Sequence, residues 1–212
     1  MLRLSSMAYR TGDVNLGMMS TIRRTRWSLR YGICDESSTT LAQVGYVVMH
    51  ALGKIKEGIQ YGEMALSLEE EKNPHSYHYS QTIYIVYGYI FCWIKPHLTT
   101  SKNLLEGYKK GMQIGSIDWS MWNVVIYIAV QLFGGKQLEE VGEECSIYSP
   151  QTEGLKKQQQ SICLDLIWQS VENLMGKSDN TTLLTGEKMD EERLVNEVLP
   201  STSSSMLSLI YS

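Results

Sequence analysis

The stretch EGIQYGEMALSL, residues 57–68, has the apolar spacing of a helix face, carried by Ile59, Met64, Leu66 and Leu68. Gly58 and Gly62 stand four residues apart inside it. Each should weaken a helix interior by roughly 1 kcal/mol relative to alanine. The pair recurs as Gly107 and Gly111, and again in small-residue form as Gly142 and Ser146. Residues four apart share a helix face. Small residues there let a neighbouring backbone come close, so that packing offsets the lost propensity. Three helices with such a face predict helices sandwiched between partners.

The punctuation of the chain agrees. Residues 14–32 read as a helix closed by Gly32, and 34–53 as one started by Asp35, Ser37 or Ser38 and ended by Gly53. Further helices follow over 54–74, stopped by Asn73-Pro74, then 76–96 and 98–115. The last three are 118–135, 136–150 and 155–176, the final one ending at Gly176 and carrying Ile162, Leu166, Ser170 and Leu174 at spacing four. Tyr46, Tyr87 and Tyr127 fall at similar places in alternate helices. The pattern predicts an all-α fold, a right-handed stack of about seven helices in antiparallel hairpins. The expected organisation is an N-terminal extension over 1–13, a helical-repeat domain over 14–199 and a serine-rich tail over 200–212.

The apolar runs 82–94 and 121–134 are too short to cross a bilayer, which takes about 18 residues or more, and are expected to be buried helices. Hydrophobic residues make up 43% of the chain, enough for a packed core. A net charge of −4 argues against nucleic acid as the partner. Charge is uneven: Arg23, Arg24, Arg26 and Arg30 cluster early and 187–197 is acidic. Both read most simply as solvated helix faces. Cys34, Cys92, Cys145 and Cys163 form no C-x-x-C pair. Free cysteines and the lack of an apolar signal core suit a reducing, cytoplasmic setting, where the Asn180-Thr181-Thr182 sequon is a chance match.

Residues that could carry chemistry are sparse. His75 and His78 lack further ligands nearby, so no metal or other cofactor is expected. Asp35-Glu36 and Asp190-Glu191-Glu192 read as helix-start carboxylates rather than acid–base pairs. No phosphate loop, H-R-D, D-F-G or G-x-G-x-x-G occurs, so no catalytic or cofactor-binding residue is expected. Trp27, Trp93, Trp119, Trp122 and Trp168 are expected mostly in the core, with some left to line a groove as binding hot spots.

Residues 57–74 resemble the second helix of a tetratricopeptide repeat, with Gly58, Gly62 and Ala65 at its small and packing positions. A wider resemblance is carried in order by LRYGICDESS, ALGKIKEGIQYGEMALSL, LLEGYKKGMQIGSID, LFGGKQLEEVGEECSIYS and ENLMGKSDNTTLLTGEKMDEE. It covers about residues 14–196 and is similar to the helical-repeat region of large multidomain signalling proteins, the predicted AAA-type ATPases. In that family a kinase-like domain and the ATPase precede the helices, and GAF, PAS, histidine-kinase or cyclase domains follow. Ser116 and Ile117 separate Gly115 from Asp118, where the family closes its helix with Gly-Asp. The tail PSTSSSMLSLIYS departs from the further helices of the family, as a fragment would. The resemblance implies a non-catalytic scaffold or regulatory module that binds protein partners or neighbouring domains. The alternative is a fragment of an ATP-binding histidine or serine/threonine kinase acting in signal transduction.

Overall fold

The computed structural model describes residues 2–10, 12–72, 76–178 and 180–198. Among them there is no strand, and the expected all-α class holds. The helices are α1 (Leu2–Arg10), α2 (Val14–Tyr31), α3 (Ser37–Leu52), α4 (Ile55–Lys72), α5 (Tyr79–Ile85), α6 (His97–Gln113), α7 (Ile117–Phe133), α8 (Leu138–Gly154) and α9 (Gln158–Leu174). A single turn, α10 (Glu191–Arg193), runs into a π turn over Leu194–Val198. Residues 2–10, ahead of the expected repeat, are themselves a helix packed on α2. The Asn73-Pro74 stop and the 200–212 tail lie outside the described residues.

Neighbours in sequence pack as antiparallel pairs. In α3 and α4, Ser38 meets Glu69 while Met49 meets Gly58. In α6 and α7, Gly111 meets Ser120 while Gly107 meets Asn123, and in α8 and α9 Ser149 meets Asp165 while Gly142 meets Val171. The odd-numbered helices also touch one another in order: α3 on α5, α5 on α7, α7 on α9. Two apolar clusters result. One joins α3, α4 and α5 around Ala42, Ala65, Val86 and Ile90, and the other joins α6 to α9 around Leu104, Met121, Ile128 and Leu164.

Several boundaries differ from the sequence reading. The 82–94 run is no uniform buried helix: α5 widens into a π turn over Val86–Ile90 and tightens into a 3₁₀ turn over Phe91–Trp93, leaving Trp93 and Ile94 exposed. Pro150 does not stop α8, which continues to Gly154. The carbonyl that a proline leaves without a donor belongs to Ser146, on the exposed side of the helix, where the lost bond costs least. Glu36, rather than Asp35, Ser37 or Ser38, holds the cap position of α3, with no side-chain cap bond. Ser37 accepts instead from the Cys34 amide, and Ser38 donates to Glu69. Gly53 does end α3, left-handed at φ +67°, with its amide donating to the Val48 carbonyl. The matching left-handed place after α8 is held by Lys156 at φ +55°.

The spaced stripe on α9 is not its core face. Leu164 and Val171 turn inward, whereas Ile162 and Leu166 lie under Leu184, Met189 and Leu194, and Leu174 is exposed. The stripe is apolar because the following segment folds back on it.

The small-residue faces are real on α4 and α6. A Cβ at Gly58 would stand 2.8 Å from the Gly45 carbonyl oxygen of α3. At Gly107 it would stand 2.7 Å from Ile83 of α5 and 2.9 Å from Asn123 of α7. At Gly111 it would stand 2.6 Å from the Ser80 hydroxyl and would also meet Ser120. Gly62 has ordinary room, with Ile90 and Phe91 at 3.4 Å. The third pair departs from expectation: Gly142 has nothing nearer than Val171 at 3.7 Å, and Ser146 is exposed. These differences set the sign of a methyl scan. Gly107→Ala and Gly111→Ala should each destabilise by about 1–3 kcal/mol through overpacking. Gly142→Ala should stabilise by up to about 1 kcal/mol, because only helix propensity changes. Urea melts of the three variants check this, and an unchanged midpoint for Gly111→Ala refutes the close crossing.

Candidate functional site: an aromatic face on α3, α5 and α7

The π turn in α5 assembles the most concentrated side-chain chemistry of the chain. A π turn closes i to i+5, so Tyr84 and Tyr89 share one side and their hydroxyls meet at 2.7 Å. Their rings stand 5.2 Å apart, edge on. From α3, Tyr46 packs edge on against Tyr89 at 5.8 Å and stacks at a tilt on His50 at 4.6 Å. His50 Nε2 donates to the Tyr89 carbonyl at 3.2 Å, and its ring meets Trp93 at 5.9 Å. From α7, Trp119 and Trp122 meet Tyr84 at 5.4 and 6.1 Å. The rings thus run without a break across three helices. Burial pushes the Tyr84 phenol well above its ordinary value and Tyr89 up to about 12, so both remain neutral hydrogen-bonding groups.

Exposure along this face is graded. Trp122 is 7% exposed and anchored in the core, Trp119 is half-buried, and Trp93 at 66% is open to solvent. Of the five tryptophans expected mostly in the core only Trp122 is buried, Trp119 and Trp168 are half-buried against the core cluster, and the one that lines an open groove is Trp27, on α2. Trp168, on α9, is half-buried with Lys188 over its ring at 4.3 Å, and Trp27, on α2, is exposed with Arg23 at 5.2 Å. The sequence reading missed Tyr84, Tyr89 and His50. The signal was present as tyrosines at 84, 87 and 89, but a period of 3.6 residues spreads those around a helix rather than onto one face.

A second cluster is polar and buried where α1 to α5 meet. Arg24, only 4% exposed, donates to Thr40 Oγ1 at 3.0 Å, to Ser5 Oγ at 3.4 Å and to Gln43 Oε1. The solvated-face reading therefore holds for Arg23, Arg26 and Arg30 and fails for Arg24, which lies on the side of α2 facing α3. Glu69, at 2% exposure, accepts from Ser38 at 2.5 Å and Thr82 at 3.1 Å through Oε1, while Oε2 is buried without a partner. Burial chiefly raises its pKa, the two hydroxyl bonds oppose that, and the charge of Asp35 adds to it. His78 is half-buried and held below its ordinary pKa by burial.

The remaining sequence candidates stay apart. His75 lies outside the described residues. Among the described residues no group of three or more His, Cys, Asp or Glu side chains could hold a metal. Glu191 accepts from the Leu184 amide at 2.9 Å, so it ties down the folded-back segment. Asn180 accepts from the amide and hydroxyl of Thr182, an Asx turn. Cys34 is exposed and Cys145 buried, with its thiol pushed up to about 12 by burial. No helix of the described residues is long and apolar enough to cross a membrane. No protein-family model matches the chain, and neither the curated proteins nor the solved structures give a match.

Glu69 makes stability depend on pH with a definite sign. Its pKa is raised in the folded state, so folding favours the protonated form. That contribution is fully present below the ordinary carboxylate value and is lost as pH rises through the raised one. Urea melts across this range should show wild-type stability falling relative to Glu69→Gln as pH rises from about 4. A difference that is flat or grows in the opposite direction refutes a buried acid here.

Proposed function

We propose that the chain is a non-catalytic docking module whose helices form a right-handed, tetratricopeptide-like stack of hairpins. Its partner is a protein segment, from another protein or from a neighbouring domain, bound across the aromatic face of α3, α5 and α7. The motifs that resemble the helical-repeat region of AAA-type ATPase and kinase signalling proteins favour a place beside such domains, in the cytoplasm, with nucleotide chemistry supplied by them. The observation that carries the reading is the graded run of rings from the core-anchored Trp122 to the exposed Trp93. Rigid aromatic side chains with polar edges supply large contact area at small entropic cost, and such residues dominate protein-binding hot spots.

Two measurements test it. Peptides selected from a display library against the whole protein should lose affinity by about tenfold or more with Trp93→Ala, as a hot spot does. They should keep it with Gln137→Ala, between α7 and α8. Selected peptides insensitive to Trp93→Ala overturn the site. A repeat stack contacts only nearest neighbours, so its ends open locally. Native-state amide exchange should then be faster in α1, α2 and α9 than in α5 to α7. Uniform protection along the chain overturns the repeat reading.

A further inference from the structure

Away from the aromatic face, two helices present surfaces of opposite charge. Six of the seven arginines lie within residues 1–31, where Asp13 is the single acid, so that segment is +5 and the remainder of the chain −9. α2 contains Arg23, Arg24, Arg26 and Arg30 and no acid, while α8 contains Glu139, Glu140, Glu143, Glu144 and Glu153 and no base. Residues at spacing three and four share a helix face. On α2 the exposed stripe is Leu16, Met19, Arg23, Arg26, Trp27 and Arg30. On α8 it is Glu139, Glu143, Ser146, Ile147, Pro150 and Glu153. Arg23, Arg26 and Arg30 form no ion pair among the described residues, and neither do Glu139, Glu143 and Glu153. The α2 stripe borders an open groove that Leu4 of α1 completes, and Met19 on it is 70% exposed.

We infer that the outer face of α2 docks on the outer face of α8 in a second copy of this chain. The arginine stripe requires an acidic partner with apolar complement, and α8 carries both at matching helical spacing. A bilayer or nucleic acid would attract the +5 segment but repel the −9 remainder. A second copy turns that same imbalance into attraction. With the two helices antiparallel, Arg23 pairs with Glu143 and Arg26 with Glu139, while Met19 and Leu16 cover Ile147 and Pro150. If the two faces lie on one side of the molecule, the contact is made twice in a two-fold dimer. If they lie on opposite sides, it repeats head to tail into a ring or filament.

The test is light scattering of the whole protein over a range of concentration and salt. Association should rise with concentration and weaken by about tenfold or more between low and high salt, as charge-steered interfaces do. Arg23→Glu/Arg26→Glu and Glu139→Lys/Glu143→Lys should each be monomeric alone. Mixed in equal amounts they should associate again, since each then offers the face the other has lost. Rescue on mixing also proves both variants folded. A monomer at all concentrations and low salt overturns the inference. So does association that either reversal leaves unchanged, or binding of phosphatidylserine vesicles by a protein that stays monomeric.

Discussion

The packing of this chain depends on two positions at which α6 has no side chain. Gly107 and Gly111 let α6 approach α5 on one side and α7 on the other, so closely that a single methyl group would collide with Ile83, Asn123, Ser80 and Ser120. Once α6 sits this deep, α5 and α7 also touch one another. Asn123 then bonds from α7 to both the hydroxyl and the carbonyl of Ser80 on α5. The ring contacts of Tyr84 with Trp119 and Trp122 span the same α5–α7 junction. A larger residue in α6 would wedge that junction apart, so the aromatic face is positioned from behind by glycines that never touch it.

The interior is unusually polar for its size. Ser5, Thr39, Ser80, Thr82, Ser120 and Asn123 are all fully buried, and Arg24 and Glu69 nearly so. Small hydroxyl residues permit close helix crossings, and their hydrogen bonds link one helix to the next. Bonds of this kind contribute modestly to net stability but penalise any alternative register that leaves a donor or acceptor unmet. Glu69, with one carboxylate oxygen unmatched, is where that arrangement carries a cost.

How much of this was legible in the sequence varies with its physical origin. The identity of α2 to α9 was readable, because the glycine punctuation and the apolar periodicity are local, whereas α1 fell within the expected N-terminal extension. The close crossings at Gly58, Gly107 and Gly111 were readable from spacing alone. Gly62 and Gly142 looked the same and were not, since room around a glycine is set by distant side chains, here Ile90 and Phe91 for Gly62 and Val171 and Met175 for Gly142. Arg24 was indistinguishable from Arg23 and Arg26 until α3 fixed which side of α2 is inward. The Tyr84–Tyr89 pair was hidden for a different reason: five-residue spacing joins side chains only where a helix widens, and nothing local announces that widening.

That widening has a further consequence for how the chain tolerates change in length. A π turn holds one residue more than the α-helical turn it replaces. Deleting a single residue within 86–90 would let the turn relax to ordinary α geometry with the residues beyond it still in phase, so Phe91, now 2% exposed, would stay in the core and Trp93 on the surface it shares with His50. What the deletion would remove is the meeting of the Tyr84 and Tyr89 hydroxyls, which needs the five-residue reach of the widened turn. The extra residue is therefore slack stored inside a helix and spent on one tyrosine pair. In a plain helix such as α6 the same deletion would turn everything beyond it by about 100° and exchange inside for outside.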